Sequence, residues 1–277
     1  MRAKIRIDMY YLLKTYRHRT IWSMVIPFIT AVFFSLAASS VNEQITNQYI
    51  KLFFYANDPQ TVFAMLLSMI VYFVFLCCLT GVFTDDLQIR TTYCFTRKRN
   101  LLKWYFSMIR LLIFLSVISV LSYLLCGSII IFILGNYTLS NFFFEINVLF
   151  KILILVWLFV FSVSFFINVL SLFIRKKYIM PIMIVMLSAF TACLSFSIKN
   201  ENILLTSINP IARLNASLHT DILSTSYFEN YSNSIDVHLF NLRFSGSVLY
   251  FIILSLIAFI IGIIAIKKTD IAIKMEE

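Results

Sequence analysis

Six stretches of about twenty apolar residues run through this chain, and no other feature of the sequence restricts its fold so tightly. They cover about 21–39, 61–82, 111–134, 152–174, 179–198 and 247–266. An α-helix needs about 20 residues to cross a hydrocarbon core of ~30 Å. Inside lipid every backbone N–H and C=O must find its partner within the protein, so only helices and closed barrels span. Barrel strands are alternating segments of about ten residues, whereas these runs are longer and do not alternate. The expected fold is a single all-α integral membrane domain over 1–277 with six transmembrane helices. Composition supports this: 13% of residues are charged and 61% hydrophobic, against about 25% charged in soluble domains.

The net charge of +10 raises the question of nucleic acid. Its distribution gives a membrane answer instead. Six basic residues precede the first run (Arg2, Lys4, Arg6, Lys14, Arg17, Arg19). Six more lie between the second and third (Arg90, Arg97, Lys98, Arg99, Lys103, Arg110). Arg175, Lys176 and Lys177 separate the fourth from the fifth, and Lys267, Lys268 and Lys274 follow the sixth. Basic residues collect on the cytoplasmic side of a membrane. The expectation is therefore a cell-membrane protein with both termini cytoplasmic, and no nucleic-acid partner. Cys77, Cys78, Cys126 and Cys193 fall in apolar runs and Cys94 in a cytoplasmic segment. None has metal-ligand spacing, so reduced structural thiols are expected.

Residues 1–19 alternate basic positions with Ile5, Met9, Leu12, Leu13 and Tyr16 at helical spacing. They read as an amphipathic helix lying in the cytoplasmic interface. The apolar run that follows is longer than the core of a signal peptide, so it reads as a retained span. On the other side, residues 199–246 form a long outer segment. Asn209-Pro210 reads as a helix start, with asparagine at the cap and proline at the first helical position. Ile211, Leu214, Leu218 and Ile222 continue at helical spacing and predict a short amphipathic helix on the outer membrane surface.

Chemistry is sparse. No Asp, Glu, Lys, Arg or His lies in the middle of a span, where ion-coupled carriers place an ionisable group. No His-Glu-x-x-His, Gly-x-Ser-x-Gly or phosphate-loop pattern occurs. No catalytic residue and no metal site is expected, and the chain reads as no enzyme. His18, His219 and His238 read as solvated loop residues. Any uphill transport has to draw its energy from a partner.

Residues 83–110 remain. This is the longest polar segment on the expected cytoplasmic side; it opens on Asp85 and Asp86 and closes on Arg97, Lys98 and Arg99. Acids first and bases last could make ion pairs with a partner protein, and Thr84 could cap a short surface helix. Arg97 to Arg99 could instead hold the third span to anionic lipid.

With six spans, an amphipathic N-terminal helix and a charged segment between spans two and three, the chain resembles the membrane subunits of ABC-2-type exporters. Family members carry an acidic residue, a Gly-Thr pair, a Pro-x-Ser-Arg-like turn and a lysine in this segment. Asp85-Asp86, Thr91-Thr92, Thr96-Arg97 and Lys103 occupy comparable places, without the glycine and the proline. Ser207 to Pro210 is similar to the proline-containing segment that follows the family's fifth span. The resemblance implies a cytoplasmic coupling helix between spans two and three, with Asp85, Asp86, Gln88, Arg90, Thr92, Arg97 and Arg99 meeting an ATPase. It further implies an outer helix carrying Pro210, Ile211, Leu214 and Leu218, separate ATPase subunits that hold ATP and Mg, and a second permease copy. The implied activity is outward movement of an amphipathic or apolar substrate such as an antimicrobial peptide, drug or lipid-like molecule. The alternative is a non-transporting immunity or sensor protein that binds a peptide through residues 199–246.

Overall fold

In a computed structural model of the chain, the described residues are 16–38, 52–53, 62–91, 101–134, 142–174, 176–223 and 242–275. Six helices among them are long and apolar enough to cross a membrane. They are α1 (Arg17–Ala38), α2 (Val62–Leu79), α4 (Leu101–Leu134), α5 (Phe142–Leu170), α6 (Lys176–Lys199) and α10 (Phe244–Met275). Short helices complete the set: α3 (Val82–Thr91), α7 (Ile203–Ile208), α8 (Pro210–Leu214) and α9 (Thr220–Leu223). No β-strand is present among the described residues, only one isolated bridge between His219 and Leu242.

Connectivity sets two ends. The Arg19 end gathers the start of α1, the junction of α2 and α3, the start of α4 and the end of α5. The Asn209 end gathers the opposite helix ends with α7, α8 and α9. Within the bundle α1 lies chiefly along α4, and α10 along α5. The buried positions of α1 are Ser23, Pro27, Ala31 and Ser35, each four residues after the last. Lipid tails are as apolar as leucine, so burying large side chains gives spans little drive to associate; small residues at this spacing let two backbones approach and pack instead. The large residues of α1, among them Trp22, Phe28 and Phe33, point outward, as a lipid-facing surface requires.

Helices outrun the apolar stretches read from the sequence. α4 begins at Leu101, ten residues before the expected span, and α5 begins at Phe142. No glycine or proline interrupts Leu101 to Arg110, so nothing stops the helix where the polar residues begin. The expected long polar segment at 83–110 is therefore mostly α3 and the first turns of α4. Only 92–100 lie outside the described residues, and with them Thr92, Cys94, Thr96, Arg97 and Arg99. The amphipathic helix expected at 1–19 likewise falls outside them, apart from its last four residues.

Large buried rings fill the centre. Tyr72 meets Phe159 edge-on at 5.4 Å, and Phe159 meets Phe251 at 5.9 Å, tying α2, α5 and α10. A second ladder nearer the Arg19 end runs from Phe83 to Tyr105 (5.8 Å) and from Tyr105 to Phe259 (5.8 Å). Tyr105 donates to Phe259 O at 3.3 Å. Its hydroxyl occupies the space that a Cβ at Gly262 would need. That is the physical requirement for glycine there: a methyl group would displace the ring.

Candidate functional site

The second span does not continue straight into α3. It breaks at Gly81, whose φ of 76° lies in the left-handed region that favours glycine. The break interrupts the helical hydrogen-bond ladder, and Phe83 N to Leu79 O is among the bonds lost. Asn168, on α5, fills the gap. Its Nδ2 donates to Leu79 O at 2.8 Å, and its Oδ1 accepts from Phe83 N at 3.3 Å. The other Nδ2 hydrogen goes to Ser164 O at 2.8 Å. Leu79 O can only accept and Phe83 N can only donate, so the amide orientation follows from the network. A buried side-chain amide thus sits between the donor and acceptor of a missing main-chain bond. Thr80 Oγ1 returns to Leu76 O at 2.5 Å, and Thr84 Oγ1 to Gly81 O at 3.1 Å. Thr84 is therefore inside the first turn of α3, not at the expected cap, because the helix already starts at Val82.

One turn further on, the two acids part. Asp86 is fully buried. It accepts a hydrogen bond from Tyr16 Oη, just before α1, and another from Trp104 Nε1 at 2.5 Å, in the first turn of α4. Asp85 pairs with Arg19 of α1, each side chain about a quarter exposed (22% and 24%). The start of α1 and the start of α4 therefore converge on one turn of α3. Both acids were expected to meet an ATPase; Asp86 is buried inside the chain, and Asp85 is engaged by α1. Gln88 and Arg90 lie on α3.

At the Asn209 end the expected outer helix starts as read. Asn209 Oδ1 accepts from Ile211 N at 2.9 Å and Pro210 takes the first helical position. The helix stops at Leu214, however. A 3-10 turn at Ala216–Leu218 and α9 carry the chain on. Ile211, Leu214, Leu218 and Ile222 are all buried against the protein. The expected packing on the membrane surface gives way to packing on α5, α6 and α10. The reason is Asn209 Nδ2, which donates to Phe190 O at 2.7 Å. Phe190 lies nine residues before the end of α6, about 14 Å along a helix axis. The chain has turned back beside the bundle. Tyr250 Oη on Ile208 O (2.8 Å) and Arg213 Nε on Ser207 O (2.8 Å) hold it there.

His219 is not the solvated loop residue expected from sequence; it is fully buried. Its Nδ1 lies 2.9 Å from Asn215 O and its Nε2 lies 2.7 Å from Ser247 Oγ. A carbonyl can only accept, so the neutral ring carries its proton on Nδ1 and accepts from Ser247. Burial pushes the imidazole down to about 4, although the Asn215 bond and the Asp221 charge oppose this; Arg213 adds to the lowering. Both Asp221 carboxylate oxygens lie 2.9 Å from Phe244 N and cap α10 from another element. His18 is exposed, and His238 lies outside the described residues.

No group of His, Cys, Asp or Glu among the described residues could hold a metal ion. No protein-family model, curated protein or solved structure matches the chain.

Sequence reasoning missed Gly81, Trp104 and Asn168, and read Tyr16 only as an apolar position of the N-terminal helix. Two of them carried a signal: Gly81 is a glycine at the end of an apolar run, and Asn168 is an amide inside one. Such residues in a membrane span need a backbone reason.

Proposed function

We propose that this protein is the membrane subunit of an ATP-driven exporter of the ABC-2 type, moving an amphipathic or apolar substrate outward with separate ATPase subunits. In this reading the Arg19 end is cytoplasmic, as the basic residues there favour. The observation that carries it is the convergence of α1, α3 and α4 on Asp85 and Asp86, directly below a helix break bridged by Asn168. A push on α3 from the cytoplasm acts on a short rigid lever with a built-in break at Gly81. It also reaches α1 through Arg19 and Tyr16, and α4 through Trp104.

The roles of the residues shift accordingly. Asp85 and Asp86 transmit force within the chain. Contact with the ATPase falls to Gln88 and Arg90 on α3, and to Thr92, Arg97 and Arg99 beyond it. The short helices after the fifth long helix, α8 with its Asn209-Pro210 start among them, also suit the family.

The test is isolation from the native membrane in mild detergent, followed by mass spectrometry. A stoichiometric ATPase carrying a phosphate loop is the expected result. A clean preparation without one overturns the proposal and leaves the immunity or sensor reading.

A further inference from the structure

Two tyrosines at the centre of the bundle hold a piece of peptide backbone. Tyr123 donates to Leu52 O at 2.6 Å, and Tyr72 donates to Phe53 O at 3.0 Å. Both tyrosines and both members of the pair are buried, and Leu52 and Phe53 are helical. The Leu52 side chain fills the space in front of Gly127, where an added Cβ would collide with it. The Phe53 ring rests on Tyr123 at 5.4 Å, and Phe75 backs Tyr123 edge-on at 5.4 Å.

This pair belongs to the connection between the first and second spans, yet it is held far below the helix ends. Tyr123 lies eleven residues before the end of α4, about 16 Å along its axis. Tyr72 lies ten residues after the start of α2, about 15 Å along its own. Carbonyls at that depth need donors from the protein, and the two hydroxyls supply them.

We infer that Tyr72, Tyr123, Phe75 and Gly127 form a recognition socket for an apolar helical peptide, with Leu52–Phe53 as the chain's own tethered occupant. The inference rests on the exporter reading and names its substrate class. Every contact in the socket is one that a foreign peptide can reproduce. Successive carbonyls of a helical turn accept from two hydroxyls, an aliphatic side chain sits over a glycine, and an aromatic ring tilts against a tyrosine. None of them uses a charge. The tethered turn and the substrate exclude each other, so apparent affinity falls by the fraction of time the socket is open. Displacement of the turn by substrate is then the first step of loading.

The experiment uses the permease alone in nanodiscs, with a fluorescein-labelled amphipathic helical peptide carrying a Leu-Phe pair. Leu52→Ala with Phe53→Ala weakens the tethered occupant, and binding becomes about tenfold tighter than in the native chain. Adding Tyr72→Phe and Tyr123→Phe removes two hydrogen bonds and returns about tenfold of that affinity. Unchanged affinity across this series overturns the socket. A second readout covers poor folding of the alanine pair: Phe53→Cys, in a chain whose five native cysteines are replaced, is labelled with a membrane-impermeant maleimide. The peptide raises the labelling rate if it displaces the turn; a rate that ignores the peptide overturns the inference. Neither measurement involves an ATPase. A bound peptide without a co-purifying ATPase defeats the exporter reading and spares the socket, and the reverse pattern defeats the socket alone.

Discussion

Replacing Asn168 with leucine removes the amide that stands in for the missing bond between Phe83 and Leu79. Three hydrogen bonds disappear, to Leu79 O, Phe83 N and Ser164 O. Interhelical hydrogen bonds in membrane proteins contribute about 0.6 kcal/mol each, so the expected loss is about 2 kcal/mol. The chain has one local repair: if Gly81 leaves its φ of 76° for the helical region, Phe83 N can bond Leu79 O directly. That repair predicts a coupling to Gly81→Ala. In the native background alanine at this φ costs about 1–2 kcal/mol. In Asn168→Leu the straightened helix accepts alanine and gains about 1 kcal/mol of helix propensity over glycine. The two substitutions should therefore be non-additive by about 2 kcal/mol, with the double variant more stable than the sum of the singles. Denaturant unfolding of detergent-solubilised protein, followed by tryptophan fluorescence, measures all four corners of the cycle. Trp104 packs on Phe83 at 6.1 Å and reports the α3 junction. Strict additivity would refute the view that Asn168 substitutes for a helical bond.

Gly262→Ala should destabilise the fold by about 1–3 kcal/mol, because its methyl group enters the space of the Tyr105 hydroxyl; Tyr105→Phe on that background should recover part of the loss in the same unfolding assay. Asp86→Asn replaces a carboxylate that accepts from both Tyr16 and Trp104 with an amide whose single oxygen can face only one of them. It should cost about 1–3 kcal/mol, whereas Asp85→Asn, at a part-exposed pair, should cost under about 1 kcal/mol; equal effects in thermal unfolding would contradict the burial of Asp86. His219 is held at about 4 when folded and returns to about 6.5 when unfolded. The unfolded chain thus takes a proton that the folded chain refuses, so stability is full above pH 6.5 and declines as pH falls toward 4, by about 3 kcal/mol in all. His219→Gln should flatten that decline relative to the native protein in a pH series of melting temperatures, and an unchanged slope would remove His219 as its cause.

The six long helices were legible because length and hydropathy are local properties, and so was the Asn209-Pro210 helix start, a matter of two adjacent residues. What lay beyond the sequence was pairing at a distance. Asp85 and Asp86 read as a surface charge pair because groups that hold them come from elsewhere in the chain, among them Arg19, Tyr16 and Trp104. His219 read as a loop residue because its hydrogen-bond partner Ser247 is twenty-eight positions away. The apolar stripe from Ile211 to Ile222 read as the membrane-facing side of an outer helix, because periodicity does not distinguish a lipid surface from a protein one. The contact of Asn209 with Phe190 makes that choice.

The four small residues on the buried face of α1 also carry a temporal consequence. Ser23, Pro27, Ala31 and Ser35 sit chiefly against α4, the third span, not against the span made next. During synthesis the first span is made before α4, so its docking stripe meets that main partner only once the chain has been extended through Leu134. Tyr16 and Arg19 wait for a shorter time, until α3 and Trp104 have emerged. Birth order and packing order thus differ. A ribosome paused between the second and third spans leaves the first one in the membrane without its main partner, the stage at which a membrane chaperone or quality-control protease has its longest opportunity to act on this protein.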